Sequence, residues 1–157
     1  MSTTRFLFVM MCLCSLASCS NEAAIDTPFA DDTSANSPLV TTYWKLQTLN
    51  EQTVTMSASQ ARGQHLIFKS KDNQLVGFGG CNRFFGSFEL NNESENSGTL
   101  SVSQLGATKM ACPDSDINEQ AFLNALSNTH RYSINGETLR LFDTQDIELA
   151  RFSAVYL

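Results

Sequence analysis

A chain of 157 residues with 42% apolar residues and eleven Phe is long enough for one domain with a core, plus extensions. Its net charge is −6 and no basic cluster overrides it, which argues against a nucleic-acid partner. After the first twenty residues no apolar run is long enough to span a bilayer as a helix.

The chain opens "MSTTRFLFVMMCLCSLASCSN". One positive charge, Arg5, precedes an apolar run from Phe6 to Leu16, and small residues follow. That is the layout of a secretory signal, and the run is too short for a transmembrane helix. The ending "LASC", Leu16 to Cys19, resembles the lipobox of bacterial lipoproteins. The resemblance implies a signal peptide over 1–18, cleavage before Cys19, and lipid chains on the Cys19 thiol and the new amino terminus. The other reading is an ordinary signal peptide cut near Ala17. One acyl chain anchors weakly, whereas two or three hold a protein on a membrane. Lipoproteins with Asp after the lipidated Cys tend to stay at the inner membrane. Here that residue is Ser20, so the resemblance points to the outer membrane, with the domain in the periplasm.

Residues 19–42 follow as lipidated Cys and tether. Asn21 to Val40 contains four acidic residues, no basic ones and two Pro, without periodicity, and reads as flexible. The folded domain is expected over 43–157. "WKLQTL" (44–49) is a first strand, and 51–63 is a polar loop. "QHLIFKS" (64–70) alternates around Leu66 and Phe68. "KDNQ" is a turn, because Asp and Asn tolerate the left-handed region. "LVGFGG" (75–80) and "FFGSFEL" (84–90) are strands, "NNESENSG" (91–98) a polar hairpin loop, and "TLSVSQL" (99–105) a strand. One helix is expected in "DSDINEQAFLNALSN", capped by Asp116 with Glu119 as the capping-box acid. Ile117, Ala121, Phe122, Ala125 and Leu126 share one face of it. Asn135-Gly136 predicts a type I′ hairpin, and "IELARFSAVYL" (147–157) closes the chain. This order predicts an α+β fold: a mainly antiparallel, curled and barrel-like sheet with one packed helix.

The densest stretch is "GFGGCNRFFGSFEL", Gly77 to Leu90. It lacks the Gly-Lys-Ser/Thr of a phosphate loop and the Rossmann spacing. Gly79 and Gly80 suit a sharp turn between two Phe-rich strands, with Asn82 capping the turn and Arg83 holding carbonyls or a carboxylate. Phe78, Phe84 or Phe85, and Phe88 would supply core. A second stretch, "LGATKMACPD" (105–114), completes a pattern. Gly80, Cys81, Asn82, Arg83, Phe84 and Gly86, then Thr108, Met110 and Cys112, resemble the motifs of the META domain, the family of the bacterial heat-shock lipoprotein HslJ. Trp44 and Leu46 resemble the family's opening. Lys109 stands where many members have Arg. The resemblance covers roughly 43–155 and implies a compact β-rich envelope domain with one helix, linked in some members to heat shock, envelope stress or novobiocin tolerance. Some parasite relatives are linked to secretion and motility. It implies no catalytic mechanism.

The residues themselves point the same way. The only histidines, His65 and His130, are scattered, and two remaining Cys do not make a metal site, so neither a catalytic residue, a cofactor nor a metal is expected. Cleavage would remove Cys12 and Cys14 and lipid would occupy Cys19, leaving Cys81 and Cys112 in an oxidising compartment. A disulfide between these two is expected. Two thiols that only pack are the alternative. The preferred function is a non-enzymatic, membrane-tethered interaction module with an envelope protein as partner. The alternative is a binder of a small apolar ligand inside the sheet.

Overall fold

The computed structural model describes residues 35–56, 62–111 and 118–156. Nine strands occur among these residues: β1 Tyr43–Leu49, β2 Gln52–Thr53, β3 His65–Lys69, β4 Gln74–Phe78, β5 Arg83–Ser94, β6 Ser97–Ala107, β7 Arg131–Asn135, β8 Thr138–Phe142 and β9 Glu148–Val155. One helix, α1, spans Glu119–Ser127. Every strand pairing is antiparallel. The order β1-β3-β4-β5-β6-β7-β8-β9 returns to β1 through a β1–β9 ladder, so eight strands close a barrel and β2 is a short flap on β1. Closure removes the sheet edges that an open sheet of this size would expose.

Alternation sorts the strands into an inside and an outside. Trp44, Leu66, Gly77, Phe84 and Ala107 form one cross-strand row on the inner face, from β1 to β6. Trp44 and Leu66 are fully buried, as are Phe68, Leu75, Leu100, Leu139, Leu141 and Phe152. Helix α1 adds Phe122, Ala125 and Leu126 to this core. Phe122 meets Phe84 of β5 edge-on at 5.5 Å and lies 6.0 Å from Phe152 of β9. In the ring of eight strands β5 and β9 stand opposite each other, so the Phe122 ring crosses the bore. The helix therefore packs into the barrel as a plug.

Several elements differ from expectation. β5 and β6 run on as a two-stranded ladder through the segment expected as a loop, leaving only Glu95 and Asn96 to turn. The hairpin after β7 turns on Gly136 and Glu137, with Asn135 still paired to Thr138. Only Gly136 carries positive φ there (58°), so the turn has glycine at its first central position and is not the type I′ turn centred on Asn135-Gly136. The "KDNQ" turn does place Asp72 and Asn73 in the left-handed region (φ 57° and 47°). Helix α1 is capped by Asn118, whose side chain accepts from Ala121 N at 3.0 Å. The expected cap Asp116 and the face residue Ile117 lie outside the described residues.

The folded unit also takes in residues assigned to the tether. Ser37, Leu39 and Thr42 are buried, and Val40 bridges to Phe68 of β3. Asn36 Oδ1 accepts from Gly136 N at 2.6 Å, Ser37 N donates to Gly136 O at 3.0 Å, and Trp44 Nε1 donates to Leu39 O at 2.9 Å. The segment fastens the β7–β8 hairpin to β3 and satisfies the indole of Trp44, the one tryptophan of the chain. Leu39→Ala is accordingly expected to cost about 2–5 kcal/mol in denaturant unfolding, as buried Leu truncations do. A cost below about 0.5 kcal/mol would mean that the segment only drapes on the barrel.

Candidate functional site

The glycine corner joins β4 to β5, and its geometry is set by one amide. Asn82 is 5% exposed. Its Oδ1 accepts from Met110 N at 2.7 Å and from the Thr108 hydroxyl at 2.9 Å. Its Nδ2 donates to Glu119 Oε1 at 3.1 Å, and its backbone N donates to Glu119 Oε2 at 2.7 Å. A carboxamide carries an acceptor and a donor group on one carbon, so the Asn82 side chain answers a hydroxyl, an N–H and a carboxylate at once. Three pieces of chain meet here: the corner, the exit from β6 and the first residue of α1. Arg83 N to Thr108 Oγ1 (3.2 Å) and Thr108 N to Arg83 O (2.9 Å) continue the β5–β6 ladder into the knot.

The glycines make room for it. Gly80 has φ of 112°, open to glycine far more than to any other residue. A Cβ on Gly79 would stand 2.6 Å from the Glu119 carboxylate, so only glycine lets the helix carboxylate reach the corner. Gly79 O accepts from Gln64 Nε2 at 2.8 Å, which ties the corner to the entry of β3. Glu119 was expected to bond back to its own helix. It is instead the first helical residue, and its side chain points away to Asn82.

The motif residues thus divide. Asn82, Phe84 and Gly86 are buried, Phe84 in the core at 2% exposure. Arg83, Thr108, Lys109 and Met110 are exposed, Met110 at 64%. The Arg83 side chain makes no hydrogen bond or ion pair among the described residues, which corrects its expected place as a clamp on carbonyls or a carboxylate. The nearby carboxylate, Glu119, is already taken by Asn82. Phe85, an alternative core candidate, is 55% exposed. Phe84 and Phe88 are the core residues of that strand, and Phe78 is half-buried on the outer face. Cys81 Sγ lies 4.0 Å from Met110 O. Cys112 and Cys19 lie outside the described residues.

His65 is buried on the outer face of β3, stacked on Tyr43 at 4.3 Å and facing Phe78 at 6.1 Å. Burial pushes its pKa below the ordinary value, the Gly63 carbonyl at 2.9 Å from Nδ1 opposes this, and the nearby Arg62 charge lowers it further. His130 is exposed and lines two shallow clefts of about 470 and 320 Å³, shared mainly with polar residues such as Asp143, Gln145, Asn91 and Ser101. Both clefts lie away from the glycine corner. Among the described residues no group of three or more His, Cys, Asp or Glu is placed to hold a metal.

The sequence model of the META domain matches residues 37–156. This chain belongs to the META domain family. Its fold is similar to that of a protein from Burkholderia xenovorans solved by NMR, at 28% identity and a TM-score of 0.60, covering 76% of this chain and 85% of that one. No curated protein matches the chain. The matched span begins at residue 37, where the META domain of this chain becomes buried.

The division of the motif sets two expectations for stability. Asn82→Ala removes the partner of a carboxylate, a hydroxyl and an N–H together, and should cost at least about 2 kcal/mol. Asn82→Asp should be comparably unstable at pH 7, where it sets a second carboxylate against Glu119. It should recover as pH falls toward 5, because the folded pair holds a proton that the unfolded chain releases. Arg83→Ala should stay within about 0.5 kcal/mol of the parent in the same unfolding experiment. A large loss for Arg83→Ala with none for Asn82→Ala would reverse these assignments.

Proposed function

We propose that this META domain is a non-enzymatic interaction module of the bacterial envelope, held at the outer membrane by lipid on Cys19 and facing the periplasm. The observation that carries this reading is the division of the motif. Its buried half, Asn82 with Glu119 and Thr108, is committed to packing the corner. Its exposed half includes Arg83 and Lys109, whose side chains make no hydrogen bond or ion pair among the described residues. The apolar-ligand alternative has less room, since Phe122, Phe84 and Phe152 occupy the bore. The relation of some family members to heat shock, envelope stress or novobiocin tolerance motivates a role in envelope stress.

A disulfide between Cys81 and Cys112 is part of the same proposal. The return of the chain after β6 supports it: Met110 N is bonded to Asn82, and Cys112 follows two residues later. Such a bond closes a loop of 31 residues, and the chain-entropy view gives a loop of this size roughly 3–4 kcal/mol.

Labelled palmitate should enter the parent protein and not Cys19→Ser, and the parent should fractionate with outer membranes. Equal labelling of both, or recovery of the parent in the soluble periplasm alone, would reject the anchor. The mature protein, denatured without reductant, should show no reactive thiol as a monomer. Two reactive thiols per chain would reject the disulfide.

A further inference from the structure

The outer face of β1, β3, β4, β5 and β6 has an uncommon composition for the surface of an acidic protein. Antiparallel register places directly paired residues side by side on one face. One outer row runs Lys45, His65, Phe78, Arg83. The next runs Ile67, Val76, Phe85, Gly106, and the third Lys69, Gln74, Ser87, Ser103. Tyr43 stacks on His65, and the Arg62 guanidinium lies 5.3 Å over the Phe78 ring. The centre of the face is thus aromatic and aliphatic, and its margins are cationic. No acidic residue occurs in the three rows. Asp72 and Glu89 border them at the far end.

Charge on the rest of the barrel is arranged differently. Arg131, Arg140 and Arg151, on β7, β8 and β9, are each paired with Asp146 or Glu148. Lys45, Arg62, Lys69, Arg83 and Lys109 take part in no ion pair among the described residues. The chain therefore neutralises its cations on one side and leaves them available on the other. Half-exposed rings between cations match the headgroup layer of a membrane, where ring bodies enter the apolar boundary and the charges meet phosphates. His65 is buried in this face and backs it by stacking between the Tyr43 and Phe78 rings.

We infer that this face docks the domain on an anionic phospholipid surface. The inference rests on the proposed anchor in one respect: lipid on Cys19 would keep bilayer and face on one chain, so that a weak surface affinity suffices. Each cation near an anionic surface strengthens binding by roughly fivefold. Co-sedimentation of the full mature chain carrying Cys19→Ser tests the face without the anchor, so failure here leaves lipidation untouched. With vesicles containing about one-third phosphatidylglycerol, binding should exceed that to pure phosphatidylcholine and fall as salt rises. The double variant Arg62→Glu and Arg83→Glu should lose at least about 25-fold. Arg140→Glu, on β8, should bind like the parent. Phe85→Ser should weaken binding with an unchanged Tm, since the ring is exposed. If the double reversal lowers Tm, Arg62→Gln with Arg83→Gln carries the same comparison. No preference for the anionic vesicles, or binding insensitive to both double variants, would overturn the inference. So would retention on immobilised polyglutamate at equal or greater strength, which would assign the face to an acidic polypeptide.

Discussion

The Asn82 side chain, shared between the Glu119 carboxylate and the Thr108–Met110 segment, is the constraint on which the rest of this domain depends. A barrel of eight antiparallel strands needs only hairpins to close, but this chain interrupts the series after β6 to insert a helix. The helix must enter the bore at a defined height if Phe122 is to reach both Phe84 and Phe152. Its first residue is held at the glycine corner through two hydrogen bonds to one carboxylate. Hydrogen bonds to an ionised group are roughly twice as strong as neutral ones. A corner of this kind fixes position where apolar packing alone, which is non-directional, would tolerate sliding.

The same corner separates two tasks. Side chains that turn inward from it build the core, and the side chains of Arg83, Lys109 and Met110 turn outward. Outward residues on β1, β3, β4 and β5 continue as a sheet face whose aromatic centre is bounded by cations that form no ion pair among the described residues. The opposite strands carry arginines already matched to acids. An acidic net charge conceals this asymmetry, because it averages over faces that differ in kind.

Much of the barrel was legible from alternation. Leu66 and Phe68, or Leu139 and Leu141, fall inward at period two, with Arg140 between the second pair and the half-buried Ile67 between the first. The far ends of β5 and β6 were not legible, since Asn91 to Ser94 are exposed throughout and "NNESENSG" carries no apolar alternation to read. Ser37 and Leu39 carry no signal of burial in sequence, because two buried positions in a Pro-containing polar stretch make no period. The helix was placed correctly and its start was not: Glu119 stands where a capping box from Asp116 would put it, yet Asn118 is the cap. Glu119 then serves a residue 37 positions away, and only the close approach permitted by Gly79 reveals it. Arg83 is the charged member of the motif. A long charged side chain at a corner has solvent as its cheapest partner, while the short amide beside it can be buried and fully bonded.

The most direct test of this account is a double-mutant cycle between Asn82→Ala and Glu119→Gln, read by denaturant unfolding of both single variants and the double. If the carboxylate and the amide hold the helix to the corner, the two losses are non-additive, with a coupling of about 1–3 kcal/mol. Losses that add to within about 0.3 kcal/mol would show that the two residues stabilise the domain independently, and would contradict the corner as the element that positions the helix.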